Sequence, residues 1–276
     1  MMINKDSLKA RANNISKKMN ISQNIVYNRF FFDAFLARLA ASSYKDKFIL
    51  KGGLYLSSLL GVSSRSTMDI DFCLKQLSME KDNLIKIVAE VLDIGVDDGV
   101  SFKIIGSDDI RMDDPYGGYQ IKILGKLENV KYEFGIDVAT GDPIVPSEKS
   151  YDYKCLVTDD VLPIKVYSLE SVIAEKLQTL LSRGIANSRS KDFYDLYILR
   201  KTQLENVNKE TLKKALSETF KHRNFTIAKE DALALLDEIT NNEQIGVRWT
   251  SYVNNNEYAS GLELKEVIST IKEWLE

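Results

Sequence analysis

The sequence predicts an α+β fold: an N-terminal part with a small mixed β-sheet flanked by helices, then a C-terminal helical bundle, a bilobed arrangement. Three observations lead there. "MDIDFCL", residues 68–74, alternates as a half-buried strand does. "YQIKILGKL" and "VKYEFGIDVA" flank Glu128-Asn129 as two strands of a hairpin. From Tyr167 onward the apolar spacing is helical almost throughout. The expected division is residues 1–165, with a helical arm over 1–48, and residues 166–276.

Residues 7–44 read as helical, because Ile21, Ile25, Phe32, Phe35, Leu36 and Leu39 recur at three- and four-residue steps. "FIL" before Lys51 is a short apolar run, and Leu54–Leu60 fits a short helix stopped by Gly61. Residues 79–95 form an amphipathic helical pattern with a terminal glycine. The stretch 143–163 is punctuated by proline, the character changes after it, and 241–258 is a less regular stretch within the helical half.

Composition narrows the chemistry. The apolar run 29–42 is broken by Arg29, Asp33 and Arg38, and the first fifteen residues are polar, so neither a membrane span nor a signal peptide is expected. Cys73 and Cys155 lack a CxxC pairing and read as reduced core thiols of a cytoplasmic protein. His222 is the single histidine, in a basic, loop-like segment, which argues against zinc hydrolases and Ser-His-Asp or Cys-His enzymes. Chemistry here must rest on carboxylates, lysines and metal. The net charge of −3 conceals an asymmetry: residues 1–51 carry ten Lys or Arg against three Asp, and residues 52–165 carry twelve against twenty acids. A basic arm beside an acidic body suits a polyanionic partner near a cation site, and a solvated helix surface would carry the same charges.

Successive strand residues point to opposite faces, so Asp69 and Asp71 share one face while Ile70 and Phe72 take the other. Two carboxylates about 6–7 Å apart at their Cα atoms repel unless a cation bridges them or one is protonated. Hard oxygen ligands of this kind suit Mg²⁺, which also binds substrate phosphates. The same counting puts Asp137 opposite the core face of its strand, as a third candidate ligand. Lys51-Gly52-Gly53 precedes a helix start, where glycines let a phosphate approach free backbone N–H groups; a plain turn would use the same pair. Lys176 sits in an apolar stripe with Leu169, Val172, Ile173 and Leu180, so it either snorkels or meets an anion. Asp192 and Asp195 share a helix face beside Arg189 and Lys191, an arrangement that an ordinary salt-bridged helix start also shows.

Lys51-Gly-Gly followed by Arg65-x-Thr67-x-Asp69-x-Asp71 resembles the glycine motif and DxD of the DNA polymerase β-like nucleotidyltransferases, with Gly52-Gly53 in place of the more usual Gly-Ser. "AEKL" around Lys176 and "RSKDFYDLY" over 189–197 narrow the resemblance to the AbiEii-type toxins of type IV toxin–antitoxin pairs. That resemblance implies a nucleotidyltransferase-like N-terminal domain and Mg²⁺-dependent transfer of a nucleoside monophosphate from an NTP, GTP or a pyrimidine NTP among the options. The implied acceptor is RNA, notably tRNA; the implied partner is a cognate antitoxin and the implied setting is phage abortive infection. The implied roles are Asp69, Asp71 and Asp137 for metal, and Lys51, Gly52, Gly53 and Thr67 along the phosphate path. Lys176 would meet triphosphate oxygens from the helical half, Asp192 would take a polar or base-like role, and Arg189, Lys191 and Asp195 would position it. Two rivals stay open: a small-molecule nucleotidyltransferase, which has no use for the basic arm, and a non-catalytic nucleotide-binding protein, indifferent to Asp69→Ala.

Overall fold

The computed structural model describes residues 3–77, 80–110 and 117–276. They fall into two compact units, residues 1–141 with 148–167, and residues 142–147 with 168–276.

The first unit runs α1 (Lys5–Met19), α2 (Gln23–Ala41), β1 (Phe48–Lys51), α3 (Gly52–Leu60), β2 (Asp69–Leu74), α4 (Lys81–Leu92), β3 (Val100–Ile110), β4 (Gly118–Leu127), β5 (Val130–Ala139), β6 (Lys149–Lys154) and β7 (Val161–Val166). Its mixed sheet has the order β3-β4-β5-β2-β1-β7-β6. β2 runs parallel to β5 and antiparallel to β1, which makes β2 the central strand.

The expected helical stretch 7–44 is two helices. Asn20 turns the chain with φ 51°, a left-handed conformation asparagine tolerates, and Ser22 then caps α2 by accepting from the Ile25 N–H. α2 is apolar on nearly every side and is correspondingly buried. Phe31, Phe32 and Phe35 pack on Tyr132, Phe134 and Phe72 of the sheet. This burial corrects the reading of the N-terminal charges, since Arg29, Arg38 and Lys51 are interior. Arg38 makes a bidentate pair with Asp98 at 2.7 and 3.0 Å, and Arg29 lies 3.6 Å from Asp33 and over the Tyr153 ring. The solvent-facing basic residues of this arm are mainly the α1 lysines, with Lys9, Lys17 and Lys18 exposed, and Lys45 beyond α2.

Three strands were not anticipated. β3 is an edge strand containing Gly106, Asp108 and Asp109, residue types that strands disfavour, and a register shift between Ile104 and Gly106 breaks its period of two. β6 and β7 lie in and just beyond the proline-punctuated stretch, for which no strand was expected. Pro163 is tolerated because β7 meets β1 only at Leu50 and Val166, so no N–H is wanted from residue 163 on that side.

The second unit comprises α5 (Leu169–Arg183), α6 (Ser190–Gln203), α7 (Lys209–His222), α8 (Lys229–Asn241), α9 (Glu243–Asn255) and α10 (Leu264–Lys272). α5 packs on α7 and α6 on α10. Two expectations are corrected here. His222 ends α7 instead of lying in a loop, and 241–258 is largely the helix α9, whose polar sequence hides a buried Ile245–Trp249 stripe capped by Asn242. Among the described residues no helix is long and apolar enough to cross a membrane.

Candidate active site

Sheet register assembles the first cluster. Lys51 on β1 is the Cα partner of Asp71 on β2, Asp71 is the partner of Asp137 on β5, and Asp137 is the partner of Gln120 on β4. Residues in register share a face, so a row of cation, carboxylate, carboxylate and amide crosses four strands. Asp69 lies two residues from Asp71 on the same face by alternation, exposed and opposite Gly135. The other face of these strands is core: Ile70, Phe72, Ile136 and Val138 are completely buried.

The glycine pair and the aspartates interlock. Asp71 Oδ2 accepts the Gly53 N–H at 3.3 Å, which sets the carboxylate at the N-terminus of α3. Gly52 has φ +64°, and a Cβ there would stand 2.0 Å from Asp71 Oδ2, so residue 52 must be glycine on both counts. At residue 53 a Cβ would stand 2.5 Å from Thr67 Oγ1 and 2.8 Å from Thr67 Cβ. Thr67 therefore fills the space a serine side chain at position 53 would need, and its hydroxyl donates to the Asp69 carbonyl at 3.4 Å.

Lys51 is buried with Nζ 4.8 Å from the centre of the Tyr167 ring and 3.5 Å from the Tyr167 hydroxyl. Asp137 Oδ1 accepts from Gln120 Nε2 at 2.8 Å, which orients the carboxylate. Arg65 is buried against the Gly53–Thr67 contact and donates to the Ser66 carbonyl. Tyr132 has its hydroxyl pKa raised, chiefly by burial and also by the charge of Asp69, with a bond to Asn28 opposing. Gln120 and Tyr167 were missed by sequence reasoning because only strand pairing brings them to the row. Arg65 stood inside the quoted motif but lacked an assigned role.

Among the described residues no group of three or more His, Cys, Asp or Glu side chains is gathered as a metal site. The donor set still fits magnesium in its usual protein form, one or two carboxylates with phosphate and water completing the shell. Asp71 and Asp137 supply that pair.

A second cluster lies wholly within the helical unit. Lys176 Nζ on α5 is 2.6 Å from Asp192 Oδ1 and 2.7 Å from Asp195 Oδ2 on α6. Asp192 Oδ2 accepts from Arg189 Nε at 2.5 Å. Both aspartate side chains are at most 1% exposed, Lys176 is 13% exposed and Arg189 44%, so Arg189 is the solvent-facing member. Burial pulls the Lys176 pKa down, but Asp192 and Asp195 outweigh it and hold the ammonium charged. Burial likewise pushes the Asp192 pKa up, while Lys176 and then Arg189 hold it well below the usual carboxylate range. Lys191 is exposed and stands outside this network.

Residues 34–270 match the family model described as nucleotidyl transferase AbiEii toxin, type IV TA system. The crystal structure of JHP933 from Helicobacter pylori superposes with a TM-score of 0.52 at 15% identity, covering 92% of this chain and 91% of that one. A candidate nucleotidyltransferase from H. pylori gives a TM-score of 0.52 at 17% identity, covering 92% and 94%. At these identities the likeness is one of fold. No curated protein matches the sequence.

Proposed function

The chain belongs to the nucleotidyl transferase AbiEii toxin family of type IV toxin–antitoxin systems, and from that premise we propose Mg²⁺-dependent transfer of a nucleoside monophosphate from an NTP to an RNA acceptor such as tRNA. GTP and the pyrimidine NTPs are the donors to try first. A cognate antitoxin restrains the activity, and abortive phage infection is its setting. The observation that supports this reading best is the joining of Asp71, in register with Asp137, to the Gly53 N–H at the start of α3. A carboxylate pair for a cation and a helix N-terminus for phosphate stand side by side, as a metal-bound triphosphate requires.

Asp71 and Asp137 would hold magnesium, with Asp69 beside them on the same face; the ion would neutralise triphosphate charge and activate the attacking hydroxyl. The chain does the rest by positioning. The Gly52 N–H would meet a phosphate oxygen, the Gly53 N–H being held by Asp71, and Thr67 keeps that turn closed to side chains. Lys51 supplies a fixed positive charge beside Asp71, stiffened by the Tyr167 ring. Gln120 fixes the rotamer of Asp137. In the helical unit Asp192 has both oxygens engaged and is held ionised, so we assign it, with Asp195, to holding Lys176 and Arg189 as cations for nucleotide phosphates instead of to proton abstraction.

Incubating the purified protein with Mg²⁺, each labelled NTP and total tRNA tests the proposal. We expect label on RNA with one preferred NTP, and a loss of at least about 100-fold in Asp71→Asn at unchanged melting temperature. Absence of label with every NTP, from protein that is toxic in cells, overturns it.

A further inference from the structure

We propose that Lys103, Lys126 and Lys131, on the open face of the sheet, hold the phosphate backbone of the RNA acceptor; this rests on the RNA-transfer reading. The face that carries Asp71 and Asp137 continues away from them along β3, β4 and β5. The register places Lys122 opposite Gly135, then Lys103 opposite Leu124 and Leu124 opposite Glu133, then Lys126 opposite Lys131. Lys122 is neutralised by Asp108 at 2.5 Å. The other three lysines are exposed and have no ion-pair partner among the described residues.

The Lys126–Lys131 pair carries the argument. Like charges directly opposite on antiparallel strands destabilise a sheet, so this pairing works against the fold unless an anion lies between them. The acids nearby do not cancel it: Glu133 stands one row away, and Glu128 at the hairpin turn accepts the Lys5 backbone N–H at 3.2 Å. That bond also brings the start of the basic helix α1 to the hairpin tip. Lys131 precedes Asp137 by six positions on one strand, about 20 Å at the strand rise. A chain of phosphates gripped at the lysine end can thus run along β4 and β5 and deliver its terminus to the carboxylate row. An acidic protein would also meet lysines, but it has no reason to lead into that row.

The test is tRNA binding against salt concentration for wild type, for Lys103→Gln/Lys126→Gln/Lys131→Gln, and for the α1 control Lys9→Gln/Lys17→Gln/Lys18→Gln. Counterion release predicts that the sheet variant loses about two to three units of log–log salt slope at unchanged melting temperature, and that the α1 variant loses less. In the transfer assay the sheet variant should raise KM for tRNA with kcat intact. An unchanged slope in the sheet variant, a larger loss in the α1 variant, or binding of polyglutamate but not of tRNA each overturns the proposal. Failure of the catalytic reading looks different: wild type binds tRNA through these lysines and transfers no label.

Discussion

Asp71 Oδ2 and the Gly53 N–H are joined by a 3.3 Å hydrogen bond, so a residue suited to bind a cation also caps the helix end suited to bind an anion. The two halves of the proposed phosphate site are therefore mechanically coupled, and substitutions in the glycine pair should be felt at the aspartate.

Gly52→Ala and Gly53→Ala should both impair transfer, but only the second should be rescuable. At residue 53 the obstacle is Thr67, 2.5 Å from the added Cβ, and Thr67→Gly removes it. At residue 52 the +64° φ remains strained whatever happens to Asp71, at a cost of about 1–3 kcal/mol. Melting temperatures and initial rates of the two single variants and of Gly53→Ala/Thr67→Gly check this. Rescue of the Gly52→Ala melting temperature by Asp71→Gly, as full as that of Gly53→Ala by Thr67→Gly, would contradict it.

Gln120→Ala should leave the fold intact and weaken the binding of metal. Its amide holds Asp137 Oδ1 at 2.8 Å, and loss of such an orienting partner typically costs about 10–100-fold in metal affinity or rate. Titrating activity with Mg²⁺ should show a raised half-saturation with recovery at high metal. A lowered ceiling without a shift would mean that Gln120 does not act through Asp137.

Lys176→Met should destabilise the helical unit by about 3–5 kcal/mol, because it strands Asp195, whose carboxylate is 0% exposed, without Lys176. Lys176→Met/Asp195→Leu should regain much of that stability, since apolar groups can replace a buried pair, yet stay inactive. Denaturant melts and transfer rates measured together separate the two effects; recovery of activity in the double variant would show that the lysine is structural only.

Two buried carboxylates give opposite pH signatures. Burial, opposed by Arg29, Tyr153 and the Leu156 N–H, raises the Asp33 pKa from 3.8 to about 6. The folded state then prefers the protonated form, so this contribution is fully present below pH 3.8 and is lost as pH rises through about 6. The difference is on the order of 3 kcal/mol, and Asp33→Asn should abolish it in urea midpoints taken from pH 4 to pH 7. Asp192, whose pKa is lowered, contributes stability present above its ordinary pKa of 3.8 and lost only in stronger acid. A flat wild-type profile from pH 4 to pH 7 that matches Asp33→Asn would refute the Asp33 assignment.

What the sequence determined by itself was local. Alternation in "MDIDFCL" placed Asp69 and Asp71 on one face, and helical spacing put Lys176 in an apolar stripe and Asp192 with Asp195 on one face. These rest on periods of two and 3.6 residues, which the covalent chain imposes without reference to anything distant. The family motifs were legible for the same reason, being short and ordered along the chain. Tertiary structure decided which charges meet. Strand order put Asp137 opposite Asp71 and Gln120 opposite Asp137, the packing of α2 buried Arg29 and Arg38, and the packing of α5 on α6 closed Lys176 between two aspartates. Pairing between segments remote in sequence is set by the packing of whole faces, and a local period carries no record of which strand becomes the neighbour.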